Sequence, residues 1–266
     1  MKELVRMWRY GLMVALTVLC AGIYMLFLLP TKSIPIIPGI TEIRLASLLP
    51  VIFGLLFGPA GAYGSALGNL CGDFFGTLSA GSVFGFIGNF MYAYIPYKLW
   101  YGIKPRQGED NSPTINSALK LAQFGIISFI SSAACAVIIA WGLDILKLAS
   151  FIAVSIIITL NNTVITLVLG PIALPLLYSF AKKHKLLWSD IMHPRDFSRP
   201  FSDKAQPPLM VAAGAVGGLV SGLAASYLFA GQTISGHFST TGAGNIATAL
   251  IVLPFLIIMF YGSLDS

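Results

Sequence analysis

Gly61-Ala-Tyr-Gly-Ser-Ala-Leu-Gly-Asn-Leu-Cys-Gly-Asp-Phe-Phe-Gly-Thr77 reads, at helical spacing, as two parallel rows with a four-residue step. Glycine forms one row, at Gly64, Gly68, Gly72 and Gly76, and polar residues form the next, at Ser65, Asn69, Asp73 and Thr77. A four-residue step overshoots one helical turn by about 40°, so each row winds slowly around the helix. A glycine row lets a second helix approach backbone to backbone. The polar row beside it sets a carboxylate and an amide in an otherwise apolar segment, and such groups inside a membrane mark candidate sites.

The rest of the chain supplies the membrane. Hydrophobic residues make up 56% of the 266 and charged residues 10%, with a mean hydropathy of +0.84. Soluble domains carry roughly 25% charge, so the fold class is an all-α polytopic membrane protein. Apolar runs predict spans at Gly11–Leu29, Leu45–Gly58, Gly61–Leu78, Val83–Trp100, Ala118–Leu143, Leu148–Phe180, Leu209–Ala230 and Ile246–Tyr261. A crossing helix needs about 20 apolar residues, which makes the second and last spans short. Leu148–Phe180 extends about 50 Å as one helix, and Pro171 and Pro175 are expected to kink it.

The net charge of +6 is a topology signal and not a nucleic-acid footprint. Lys2, Arg6 and Arg9 precede the first span, Lys98, Lys104 and Arg106 end the fourth, and Lys182, Lys183, Lys185, Arg195, Arg199 and Lys204 follow the sixth. The alternate connections hold only Lys32, Arg44 and Lys147. Basic loops stay cytoplasmic, so both termini are expected inside a cell membrane crossed an even number of times. Cys20, Cys71 and Cys135 fall within spans at no metal-ligand spacing and read as small apolar residues.

The connections are legible from proline and glycine. Pro30-Thr-Lys-Ser-Ile-Pro-Ile-Ile-Pro-Gly39 is an external loop that cannot be regular helix, and Gly58-Pro-Ala-Gly61 is a tight turn pairing the second and third helices. The segment 182–208 is a basic cytoplasmic linker, and 209–266 is a separate pair of helices joined by the Gly/Ser/Thr-rich stretch Gly231–Asn245. The seventh helix repeats the small-residue row at Gly214, Gly218, Gly222 and Ser226.

Asp73 and Asn69 fall toward the outer end of the third helix, Asn89 inside the fourth, and Asn161 and Asn162 in the outer half of the sixth. A lone asparagine in a membrane bonds a neighbouring helix as readily as it bonds a ligand. Four asparagines and an aspartate in the outer halves of three helices favour a shared cavity. Glu42 and Arg44 flank the second helix and read equally as solute contacts or as a surface pair with Arg44 snorkelling. Asp144 and Lys147 read as a solvated turn, and His184, His193 and His237 have no partner carboxylates at metal spacing. Tyr92, Tyr94, Tyr97, Trp100 and Tyr101 read as an interfacial aromatic belt. Gly11 and Ala15 form a small-xxx-small pair on the first helix, with Gly22 further along.

The segment Arg44-Leu-Ala-Ser-Leu-Leu-Pro-Val-Ile-Phe-Gly-Leu-Leu-Phe-Gly-Pro-Ala-Gly61, continued by Gly68-Asn-Leu-Cys-Gly-Asp73 and Gly85-Phe-Ile-Gly-Asn89, resembles the substrate-binding S components of energy-coupling-factor (ECF) vitamin transporters. The resemblance is clearest over about residues 40–100 and weaker over Asn161–Tyr178. It implies a six-helix core over residues 1–181 that captures a vitamin-like solute from outside. It also implies a membrane coupling protein driven by two cytoplasmic ATPases, with the S component toppling in the bilayer to deliver its cargo. The family's first helix meets the coupling protein through an alanine-x-x-x-alanine pair, to which Gly11 and Ala15 are the nearest match. The linker and the two extra helices depart from the family pattern. No substrate signature is legible, leaving a vitamin, a nucleobase-like precursor or another small metabolite.

The chain carries no phosphate-binding Walker loop, so any ATP hydrolysis belongs to partner subunits, and it implies no cofactor. A stand-alone secondary transporter using Asp73 as a proton or cation site is the alternative, weakened because no inverted repeat is visible. A membrane enzyme lacks paired acids or a histidine–carboxylate constellation within the spans.

Overall fold

The computed structural model describes residues 2–31, 35–37, 41–42, 44–75, 78–102, 111–197, 206–231 and 242–264. Gly76, Thr77 and His237 lie outside them, as do Lys32, Lys104, Arg106, Arg199 and Lys204. Each of the eight apolar runs is a helix. They are α2 (Gly11–Thr31), α3 (Leu48–Phe57), α4 (Pro59–Asp73), α5 (Ser82–Gly102), α6 (Ala118–Ile145), α7 (Phe151–Lys183), α9 (Gln206–Ala230) and α10 (Ile246–Leu264). A short helix, α1 (Lys2–Arg6), precedes this set, and another, α8 (Trp188–Ile191), lies between α7 and α9. Between α2 and α3 the proline-rich loop carries a two-stranded antiparallel ribbon, β1 (Pro35–Ile37) against β2 (Thr41–Glu42), with Pro35 opposite Glu42.

Five described helices are long and apolar enough to cross a membrane: α2, α6, α7, α9 and α10. With only 10 and 15 residues, α3 and α4 are short of a crossing length. By contrast α5 has 21 residues, but its sequence is diluted by Asn89, four tyrosines and Lys98. It tolerates them because it is the interior helix, packed by α3, α4 and α6 and buried continuously from Met91 to Trp100. Tyr92, Tyr94, Tyr97 and Trp100 are therefore core residues, correcting the aromatic belt read from sequence.

Local chemistry fixes the boundaries. Gly58 takes φ +54, a left-handed conformation open to glycine, and Pro59 starts α4 where its missing N–H costs nothing. Ser117 and Ser150 cap α6 and α7 by accepting from the N–H groups of Lys120 and Ala153, at 3.2 and 3.3 Å. One continuous helix, α7, runs through both Pro171 and Pro175.

The chain alternates direction from α2 to α7, giving the bundle a basic end, with Lys98, Lys182 and Arg195, and a distal end, with Asp73 and Ile145. The described residues 182–197 and the helices α9 and α10 pack on the bundle. Trp188 of α8 is buried against Tyr97 and Tyr101, with ring centroids 5.0 and 5.1 Å away. The small-residue row of α9 is filled from α10 and the core: Gly214 by Met259 and Phe255, Gly218 by Phe255 and Val137, and Gly222 by Phe151. Ser226 Oγ donates to Thr248 Oγ1 at 3.3 Å.

Candidate binding site

The glycine row of α4 is filled by α2, which runs parallel to it. A Cβ at Gly64 would overlap Cys20 and lie 2.9 Å from the Thr17 carbonyl. One at Gly68 would lie 2.7 Å from Tyr24 Cβ and 2.8 Å from the Ala21 carbonyl, and one at Gly72 would overlap Leu28. Cys20, Tyr24 and Leu28 are themselves four residues apart, so a ridge of α2 is seated along the glycine row. Gly11 and Gly22 belong to the opposite, exposed face of α2 with Ala15, and nothing lies within 4 Å of a Cβ at either glycine.

With α2 held this close, the neighbouring polar row faces α5. At Gly85 a Cβ would lie 3.0 Å from Asn69 Nδ2 and 3.8 Å from Asp73 Oδ2, so the missing side chain leaves room for both groups. Asn69 is buried, and its amide makes no hydrogen bond among the described residues. Asp73 is half-buried at the distal end of α4. One turn further along α5, Asn89 Nδ2 donates to the Gly85 carbonyl at 2.9 Å, and its Oδ1 accepts from the Tyr24 hydroxyl at 3.0 Å. Tyr24 thus joins the glycine seat to the polar wall.

The wall continues onto α7. Tyr92 Oη lies 3.0 Å from Thr166 Oγ1 and 3.3 Å from the Asn162 carbonyl, either of which it can donate to. Thr166 Oγ1 lies 3.3 Å from the Ser47 carbonyl. Cys135 of α6 is buried, and Arg44 lies within electrostatic reach of both Cys135 and Tyr24. Ser155, Thr159, Asn162 and Thr166 form the buried polar stripe of α7, in which the hydroxyl of Thr159 has no partner among the described residues; Ser65, below Asn69, likewise has none among them. A buried polar group left unpaired costs about 1–3 kcal/mol, so the interior carries a standing demand for further hydrogen bonds.

Of the residues expected to share a cavity, Asn69, Asp73, Asn89, Asn162 and Arg44 are brought to this one polar layer. Asn161 sits about 100° around α7 from Asn162 and is half-buried. Glu42 is in β2, and its side chain lies outside the described residues. Sequence reasoning missed Tyr24, Tyr92, Cys135, Thr166 and Ser47, because tyrosine and cysteine count as apolar when a span is sought. Asp144 also departs from expectation. It is buried and not solvated, and it accepts hydrogen bonds from two backbone N–H groups.

Among the described residues, ion pairs bridge the basic end. Lys98 Nζ donates to Glu3 Oε1 at 2.8 Å, the Tyr94 hydroxyl donates to the same oxygen at 2.8 Å, and both charged side chains are fully buried. Burial pushes the Glu3 carboxyl up, but the charge and hydrogen bond of Lys98 outweigh it and hold the group down at about 2. Beside this pair, Arg6 reaches Asp196 at 2.7 Å and Tyr10 donates to the same carboxylate, strapping the N-terminal segment across the bundle. The layer at the distal end, made of amides, hydroxyls, one carboxylate and one guanidinium, is suited to hydrogen-bonding a small polar molecule between apolar walls.

A family model described as QueT transporter matches residues 14–179, or 166 of the 266. The match runs from the first turn of α2 to the last turns of α7 and contains every residue of the polar layer, leaving α1, α8, α9 and α10 outside. No curated protein and no solved structure matches the chain. The polar layer and the helices that build it are thus those of a multi-pass membrane transporter subunit, and the chain belongs to the QueT transporter family of ECF S components.

Proposed function

We propose that this chain captures a small molecule of the queuosine-precursor class from outside the cell and delivers it inward with an ECF coupling protein and two cytoplasmic ATPases. The observation that carries the reading is the Asn69 amide: buried, without a hydrogen bond among the described residues, and beside Asp73 in the space left by Gly85. The ligand hydrogen-bonds Asn69 and Asp73, with Asn89, Asn162 and Arg44 completing the wall. Residues 1–181 are the six-helix binding core, 182–208 the linker, and 209–266 a two-helix extension. The basic-end lysines and arginines favour a cytoplasmic basic end with both termini inside, and hence a distal site open to the exterior.

The bare face of α2 supports the partner assignment. Gly11, Ala15 and Gly22 are open, whereas the glycines of α4 are filled from within the chain, and small open residues suit close helix docking. The ion pair and aromatic cluster at the basic end favour an S component over a secondary transporter. An internal path would have to break the Glu3–Lys98 pair and part the aromatic cluster around Trp188.

Equilibrium binding of a tritiated queuosine-precursor base to the purified chain tests the reading. Saturable binding in wild type, lost in Asn69→Leu with folding intact, supports it. Unchanged affinity in that variant refutes the assignment of the site. Uptake by the chain alone in liposomes under a pH gradient refutes the S-component mechanism.

A further inference from the structure

The two helices beyond the family match are bound to the core at the distal end by a buried carboxylate. Asp144, at the end of α6, is 1% exposed. Its Oδ1 accepts from the Phe151 N–H at 3.2 Å, where α7 begins, and its Oδ2 accepts from the Gly244 N–H at 3.3 Å, just before α10. Gly244 holds φ +82, and the stem of Lys147 lies across it, so that a Cβ there would come within 2.7 Å of Lys147 Cγ. A second tie runs beside the first, with Trp141 Nε1 donating to the Ala249 carbonyl of α10 at 3.1 Å.

The second tie reaches the polar layer through Phe84. The Trp141 ring packs edge-on against Phe84 at 6.1 Å, and Phe84 also covers Gly142, filling the place of a side chain there. Phe84 precedes Gly85, the residue whose bare Cα makes room for Asn69 and Asp73. Movement of the α6 end therefore moves the first turn of α5, and with it one wall of the site. On the other side, Asp144 pins the start of α7, the helix that carries Thr159 and Asn162.

We propose that Asp144 is a positioning residue through which the α9–α10 pair braces the ligand site and sets how long a bound ligand is retained. The proposal rests on the ligand reading given above. It assigns the extension a role in the site: the pair is a strut, and ligand dissociation requires the distal corner of α6, α7 and α10 to yield.

The test uses the full chain in detergent with Asp144→Ala, Asp144→Asn and Trp141→Phe. Dissociation of a tritiated queuosine-precursor base is followed by isotope chase, and backbone amide exchange is measured without ligand. Hydrogen bonds to a charged acceptor are the stronger kind, so Asp144→Ala is expected to speed dissociation about tenfold while changing association less than about twofold. Asp144→Asn keeps one acceptor oxygen and recovers part of the loss, and Trp141→Phe gives a smaller increase. Exchange rises in Asp144→Ala at Phe151 and Gly244 and also in the first turn of α5, Phe84–Asn89. A purely structural role lowers melting temperature without that split between dissociation and association. Unchanged exchange over Phe84–Asn89, or faster exchange with unchanged dissociation, overturns the proposal. A wild-type chain that binds none of the base refutes the ligand reading, and the α5 exchange then decides by itself whether Asp144 braces the site.

Discussion

Replacing Gly68 with alanine adds one methyl group at the tightest backbone approach in the site. The new Cβ would sit 2.7 Å from Tyr24 Cβ and 2.8 Å from the Ala21 carbonyl. Non-bonded carbon atoms prefer about 3.5–4.0 Å, so α2 must back away by roughly 1 Å. Neither obstacle is the free end of a flexible side chain, so no rotamer change relieves the clash. Overpacking of this kind costs about 1–3 kcal/mol, and for a chain of this size each kcal/mol lowers the melting temperature by about 2–4 °C. The retreat also draws Tyr24 from Asn89, whose hydrogen bond is 3.0 Å long, so ligand affinity falls with stability. Gly72→Ala meets only the Leu28 side chain and is expected to cost less, whereas Gly22→Ala meets nothing and leaves stability unchanged or slightly higher. Thermal unfolding in detergent, followed by the monodisperse fraction remaining in solution, ranks the three variants. A Gly68→Ala protein as stable as wild type, or a Gly22→Ala protein equally damaged, refutes the claim that α2 is seated on the glycine row.

Glu3→Ala strands the buried Lys98 ammonium and should cost about 3–5 kcal/mol, while Glu3→Ala combined with Lys98→Met should recover most of it in the same melting assay. The Glu3 carboxyl is held below its unfolded value, so its contribution is full above about 4.5 and is lost as pH falls toward about 2. An acid titration of the melting temperature should therefore show wild type, but not the double variant, losing an increment in that window. Asn69→Leu removes a buried amide that makes no hydrogen bond among the described residues, so it should leave stability unchanged or raised while lowering affinity for the queuosine-precursor base at least about tenfold. Ala15→Trp, on the exposed face of α2, should preserve ligand affinity and melting temperature but abolish co-purification with the coupling protein.

The helices were legible because their signals are local. A four-residue glycine row and the Gly58-Pro59 turn each act within a few residues, and the structure keeps the turn and the row from Gly64 to Gly72. Half of the site was legible for the same reason: Asn69 and Asp73 sit on one row, and their counterparts are amides that stand out in apolar spans. The other half was hidden by depth. Whether Tyr24 or Tyr92 lies at an interface or in the core depends on which helices surround it, and α5 is enclosed by segments as far away in sequence as α9. Asp144 was misread because its partner Gly244 lies 100 residues on, beyond any sequence window. The N-terminal strap escaped notice because a five-residue charged helix resembles solvated surface until Lys98 is found beneath it.

That strap imposes an order on assembly. Glu3 emerges 95 residues before Lys98, and Arg6 emerges 190 residues before Asp196. At about 5–20 residues per second, the first charged groups made therefore wait about 10–40 s for the last of their partners. Glu3 must remain in water at the membrane surface until Lys98 is made, and Arg6 for the whole interval until Asp196 is made. Closure of the strap is thus a late event in biogenesis, and protease access to residues 2–10 on stalled nascent chains would time it.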